Sequence, residues 1–159
     1  MSNWVAVASE EHVRKGRKAG FMQVCHRKIV PLKRINGGDC IIYYSPTLHF
    51  QGKDKLQAFT AFGTATQEEP YQVDMGNGFC PYRRNVIWSN ARETLIKPLI
   101  QHLEFSKYNR NRGYQLRFGL FLDTIFYFLV FMDYLFFVLF ILKFQRRACT
   151  ITKTIISLK

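Results

Sequence analysis

Three groupings of side chains in this sequence have the residue types that chemistry uses. The first is Cys25-His26, a thiol beside an imidazole. On extended backbone, neighbouring side chains leave opposite faces, so His26 is not placed to take a proton from Cys25. The second is the set of four cysteines, Cys25, Cys40, Cys80 and Cys149. None stands in a C-x-x-C spacing, which argues against a zinc site and a disulfide scaffold alike. No Ser-His-Asp order, H-E-x-x-H, P-loop or G-x-G-x-x-G run occurs, so neither nucleophilic catalysis nor a nucleotide cofactor has a basis in the sequence. The chain reads as a non-enzyme, with no cofactor and no metal. The third grouping is Phe79-Cys80-Pro81-Tyr82-Arg83-Arg84. A phenol ring can stack on a nucleobase while the guanidinium groups hold neighbouring phosphates. The same residues suit packing in a core or at its rim, and both readings stand at this point.

The charge of the whole chain favours the first of those readings. Its 159 residues, about one domain's worth, carry 23 Lys+Arg against 11 Asp+Glu, a net +12. Basic pairs and triplets are dispersed along the chain: Arg14-Lys15 and Arg17-Lys18, Arg27-Lys28, Lys33-Arg34, Arg83-Arg84, Lys107 with Arg110 and Arg112. Folding brings some of these together, and such a surface attracts phosphate backbones in a salt-sensitive way. A merely solvated basic surface, or attraction to anionic lipid, are the alternatives. Met1–Val7 lacks the basic and apolar regions of a secretory signal, and the cysteine usage suits a reducing compartment, so a cytoplasmic location is expected.

The elements that must position these residues are short. Asn3–Ala8 reads as a buried strand. Ser9 then caps a helix with Glu10 and Glu11 in its first turn, basic residues in its last turns and Gly20 as its stop. Asn36–Asp39 is a turn before a central strand, Cys40–Tyr44, and Pro46–Lys55 reads as a polar loop. Leu56–Thr66 is a long strand in which Gly63 marks a bulge or a close backbone approach. Pro70 and Met75–Gly78 punctuate a hairpin leading to a strand at Tyr82–Trp88. A short helix is expected over Ile96–Phe105 and a last strand over Tyr114–Phe121. Trp4 and Trp88 read as core. The fold class is α+β: six short β segments with two small helices, curled into a strongly curved sheet or small barrel.

Beyond residue 121 the composition changes. From Thr124 to Leu142, 17 of 19 residues are apolar and Asp133 is the only charge. That is the length of a membrane span, and no polar stripe recurs at helical spacing. The basic flanks are almost balanced, Lys107, Arg110, Arg112 and Arg117 before it against Lys143, Arg146, Arg147, Lys153 and Lys159 after it, so charge does not orient it. Two readings follow for 122–159. One is a hydrophobic helix over 124–142 that tethers the protein to a membrane, with residues 1–121 in the cytoplasm. The other is a change of reading frame near codon 122, since out-of-frame AT-rich DNA encodes Phe, Leu, Ile and Lys.

Six blocks, taken in order, carry a resemblance. They are Asn3-Trp-Val-Ala-Val-Ala-Ser, Gly20-Phe-Met-Gln-Val-Cys-His-Arg-Lys with Pro31-Leu-Lys-Arg, Gly38-Asp-Cys-Ile-Ile-Tyr-Tyr-Ser-Pro, Lys55-Leu-Gln-Ala-Phe-Thr-Ala-Phe-Gly, Pro81-Tyr-Arg-Arg and Arg117-Phe-Gly-Leu-Phe. Over residues 1–121 the set resembles the EVE domain, a PUA-like fold related in architecture to YTH and ASCH domains. The resemblance implies a pseudo-β-barrel of five or six mostly antiparallel strands with short flanking helices. It also implies non-catalytic binding of DNA or RNA, with one modified base flipped into a cleft. By that analogy Val24, Cys25 and His26 form one wall and Tyr43, Tyr44, Ser45 and Pro46 the floor. Tyr82 is the stacking aromatic, and Arg83 and Arg84 serve backbone phosphates. Tyr43 and Tyr44 alternate on a strand, so at least one of them is expected in the core. The chain departs from the family pattern in having Cys80 and Tyr82 where His and Trp are usual, and Arg27 where Gly is usual. It departs again in its apolar tail, where the family has an acidic amphipathic helix packed on the barrel.

Overall fold

A computed structural model describes residues 2–24, 28–100, 114–117 and 119–123. By contact the chain divides into two units, Met1–Tyr127 and Phe128–Lys159, and every described residue belongs to the first. The segment 124–142, expected as an apolar helix, lies outside the described residues. Among the described residues no helix is long and apolar enough to cross a membrane.

Strand β1 (Asn3–Val7) is short, rich in β-formers and buried along most of its length. Helix α1 (Glu10–Ala19) follows with Glu10 and Glu11 in its first turn, Arg17 and Lys18 in its last, and Gly20 closing it in the left-handed conformation at φ 76°. Gly20 donates its amide to the Arg17 carbonyl there, an arrangement that a residue with a Cβ adopts at a cost. Ser9 takes the extended cap conformation, yet its hydroxyl makes no cap bond and is buried without a partner. Strand β2 (Phe21–Met22) is brief. Helix α2 (Val30–Lys33), which the sequence did not announce, is a single turn with Pro31 near its start. Strands β3 (Cys40–Thr47) and β4 (Lys55–Ala65) form the long central pair, so the expected loop at Pro46–Lys55 is shorter at both ends. Strands β5 (Tyr71–Gln72), β6 (Tyr82–Trp88), β7 (Thr94–Leu95) and β8 (Leu120–Asp123) complete the sheet.

Hydrogen bonding links β2-β6-β4-β3-β1-β8 in that order, with β5 attached to β6 and β7 to β4. β1 and β3 run parallel, Asn3 opposite Cys40 through Val7 opposite Tyr44, and the remaining pairs are antiparallel. The sheet is curled and mixed, and few helices accompany it. Among the described residues eight strands are present where five or six were expected, because two-residue strands such as β7 are too short to leave a pattern in sequence. Two further expectations are corrected. Residues 115–117 form a 3₁₀ turn, and the last strand starts only at Leu120. Within the expected helix at Ile96–Phe105, residues 96–100 make one turn, with the Leu99 and Ile100 amides on the Ile96 carbonyl; 101–105 lie outside the described residues.

The core is a cluster lined by Trp4, Val13, Met22, Leu32, Ile41 and Tyr43, with Tyr82 and Trp88 packed against it. Gly63 is the close approach that its position suggested: a Cβ there would stand 2.6 Å from the Ile87 carbonyl oxygen and 2.8 Å from the Trp88 ring. The bulge lies elsewhere in β4, where Tyr43 faces Ala61 but Tyr44 faces Phe59, leaving Thr60 unpaired in the register.

Candidate functional site

The end of β2 and the start of β6 are brought together by antiparallel pairing, Phe21 opposite Asn85 and Met22 opposite Arg84. This places Gln23 and Val24 alongside Tyr82, Arg83 and Arg84, the two sequence blocks expected to converge. Alternation along β6 then sends its side chains to different places. Tyr82, Arg84, Val86 and Trp88 share the face that packs into the core, and Arg83 takes the other.

Arg83 is half-buried and held by three neighbours. Its guanidinium carbon lies 3.9 Å from the centre of the Phe21 ring, Nε donates to Gln23 Oε1 at 3.0 Å, and Nη2 lies 3.3 Å from the Met75 sulfur. Arg84 is only 2% exposed. Its Nη2 donates to the Thr66 carbonyl at 3.1 Å, while Nε is buried without a partner. The pair expected to serve phosphates together is therefore divided between a rim and an interior.

Tyr43 is buried and braces the opposite side. Its hydroxyl accepts the Gln23 amide and donates to the Gln23 carbonyl, both at 3.0 Å. That carbonyl also meets His12 Nε2 at 3.1 Å, which fixes the proton on Nε2 because a carbonyl only accepts. The Tyr43 ring lies 5.8 Å from that of Trp88 at a tilt of 36°, within the range of favourable aromatic pairs. Trp88 Nε1 is buried and has no partner.

The other residues of the expected floor turn elsewhere. Tyr44, one step along β3, meets Phe59 edge-on at 5.8 Å, and burial pushes its phenol pKa up, so it stays neutral. Ser45 is fully buried and exchanges a 2.7 Å hydrogen bond with the Thr60 hydroxyl. Pro46 is half-buried near the end of β3. Val24 is buried in the core cluster, and Cys25 and His26 lie outside the described residues. Of the remaining cysteines, Cys40 is buried beside Asp39, and burial, with the Asp39 charge added, raises its thiol pKa; such a thiol is inert. No group of three or more His, Cys, Asp or Glu among the described residues is arranged to hold a metal.

Sequence reasoning missed Gln23, His12 and Phe21 as members of this region, and it placed Trp88 only in the core. Gln23 lies within a quoted block, and nothing local marks it; its role depends on Tyr43 and Arg83, which are 20 and 60 residues away.

Comparison with known proteins agrees with the resemblance. The EVE domain profile matches residues 2–121. UPF0310 protein msl3206 of Mesorhizobium japonicum is 57% identical over 120 residues, covering 74% of this chain and 80% of its own. The UPF0310 protein in the gntR 5′ region of Bacillus licheniformis is 47% identical over 111 residues, 70% of this chain and 76% of its own. The crystal structure of protein Atu2648 from Agrobacterium tumefaciens superposes with a TM-score of 0.48 at 9% identity, covering 78% of this chain and 86% of that one. With three quarters of its length matched in this way, the chain belongs to the EVE-domain family.

Proposed function

We propose that this protein is a non-catalytic reader of nucleic acid that receives one modified base, extruded from its strand, between the Val24 segment and Tyr82. EVE domains are PUA-like and commonly bind nucleic acid. The observation that carries the reading is the convergence of the Gln23-Val24 segment with Tyr82-Arg83, tied by the 3.0 Å bond from Arg83 Nε to Gln23 Oε1. Aromatic surface is at hand in Tyr82, half-buried, and in the Tyr43–Trp88 pair. An extruded base needs such walls because it gives up the stacking of its neighbours.

In this reading Tyr82 stacks on the base. Arg83 stands at the rim, where its remaining N–H groups are open to a flanking phosphate. Tyr43 and His12 act through Gln23 by fixing the backbone that leads into the Val24-Cys25-His26 wall. Tyr44, Ser45 and Pro46 continue β3 beyond Tyr43, with Tyr44 held on Phe59 and Ser45 on Thr60. The test is direct binding of the full chain to DNA and RNA oligonucleotides, each carrying a single modified base. Tyr82→Ala is expected to weaken the best of these by about 1–3 kcal/mol, the stacking range, and to leave unmodified strands nearly unaffected. An unchanged affinity for every modified strand removes Tyr82 from the site.

A further inference from the structure

Resting on that nucleic-acid reading, we propose that Arg84 is a buried anion seat on the core-facing side of β6, behind Tyr82. The ligand group it receives carries a negative charge and several acceptors, as a carboxylate or a phosphate does. Arg84 lies on the face of β6 shared with Tyr82, Val86 and Trp88, and it stands opposite Met22, which is completely buried. A guanidinium offers five donors and keeps its charge inside a protein. This one is 2% exposed and donates to a single backbone carbonyl, that of Thr66, and its Nε donates to nothing. Among the described residues the ion pairs are Arg14–Glu10, Lys15–Glu11 and His49–Asp54, and Arg84 is in none of them. A buried charge with neither counter-charge nor full hydrogen bonding is strongly unfavourable. A water molecule filling the gap would satisfy Nε and leave the charge uncompensated.

A second observation points the same way. Trp88 Nε1, on the same strand face, is also a buried donor without an acceptor, and its ring lies against Tyr43. Arg84 is thus an idle charged donor and Trp88 an idle neutral one, four residues apart on one face of β6, and the first is the complement of an acceptor-rich, anionic group. A methylated base brings no charge and a mixed donor–acceptor edge. A pyrimidine bearing an exocyclic carboxylate supplies what the site lacks. Arg83 does not compete for this role, because Gln23, Phe21 and Met75 already occupy it.

The experiment has two arms, each run on the full chain and on Arg84→Met, whose apolar side chain of similar length removes the unpaired charge without leaving a large cavity. In the first arm, thermal unfolding is followed in phosphate and in chloride at equal ionic strength. Phosphate stabilises folded proteins in general, so the expected readout is a rise in Tm for the wild type that clearly exceeds the rise for Arg84→Met. In the second arm, binding is measured for oligonucleotides of one sequence containing 5-carboxylcytosine, 5-methylcytosine or cytosine. The carboxylated strand is expected to bind about tenfold more tightly than the methylated one, the scale of one charge-assisted hydrogen bond. That ratio is expected to fall to about one in Arg84→Met. An Arg84-dependent phosphate response with no preference among the strands also supports the seat and identifies a free anion as its occupant. No Arg84-dependent phosphate response together with no carboxylate preference overturns the proposal, and the wild-type preference among the strands alone decides this if Arg84→Met does not fold. Loss of salt-sensitive binding to every strand, with the phosphate response retained, overturns the nucleic-acid reading and leaves the seat standing.

Discussion

The carboxylate of Asp39 collects three donors: the Ser2 amide at 2.7 Å, the Trp4 indole at 3.0 Å and the Asn36 amide at 2.9 Å. It thereby ties the start of β1 to the turn that opens β3. Burial pushes this carboxyl's pKa up, but the donated hydrogen bonds of Ser2, Asn36 and Trp4 outweigh it, and the net pKa is lowered. A lowered folded pKa contributes stability that is present above the unfolded carboxylate pKa of about 3.9 and is lost as pH falls through the folded value. Asp39→Asn replaces one acceptor oxygen by an amide that faces donors, and is expected to cost about 1–3 kcal/mol by chemical denaturation at pH 7. The gap between wild type and variant should narrow as the pH is taken below about 4; a gap independent of pH would mean that the charge is not what matters at this position. Tyr43→Phe is the second expectation at this scale. Removing a hydroxyl that both donates to and accepts from Gln23 should cost about 1–2 kcal/mol in stability and weaken oligonucleotide binding, because the wall after Gln23 loses its brace. Full affinity in a Tyr43→Phe protein would detach that brace from function.

Elements differ in how plainly their residues announce them, and the difference has physical causes. α1 was legible from Ser9, the two glutamates and Gly20, because termination signals are local. β3 and β4 were legible because long β-rich runs bounded by Asn36–Asp39 and Pro70 leave little else for them to be. α2 was not, since one turn over Val30–Lys33 is too short for a periodic pattern. The alternation in Tyr114–Phe121 suggested a strand, whereas pairing with β1 reaches only Leu120–Asp123, so the partner's length, not the segment's own pattern, set the strand. In the site, the convergence of the Gln23 and Tyr82 blocks was legible through the resemblance. The opposite fates of Arg83 and Arg84 were not, because they depend on which face of β6 is covered. The contact between α1 and β2 gives a test in which two effects compete. Ala at position 16 would favour the helix by about 1 kcal/mol over Gly, yet its Cβ would stand 2.6 Å from the Phe21 carbonyl oxygen, a backbone atom with little freedom to retreat. Gly16→Ala is therefore expected to destabilise the protein by about 1–3 kcal/mol and to loosen the Phe21–Arg83 contact. A gain in Tm would show that α1 shifts freely on the sheet.

At the scale of the whole molecule, the net charge is +12, and the exposed basic side chains among the described residues lie on several elements, so a patch that meets nucleic acid can be tested for. α1 exposes Arg14, Lys15 and Lys18, while Lys28 and Lys33 are exposed on and just before α2, which packs against β6 beside the candidate site. If the strand follows its extruded base, phosphates adjacent to Tyr82 meet Lys28, Lys33 and Arg83, three contacts in all. For a single strand each neutralised phosphate contributes about 0.7 to the slope of log Kobs against log salt, so the slope should be about −2. Replacing Lys28 and Lys33 together by Ala should make it shallower by about 1.4. The triple replacement of Arg14, Lys15 and Lys18 should lower affinity at low salt through long-range attraction while leaving the slope nearly unchanged. The two outcomes separate direct phosphate contact from general electrostatic steering. A slope that responds to the α1 replacements and ignores those at Lys28 and Lys33 would move the nucleic-acid track to the α1 side of the sheet, away from Tyr82.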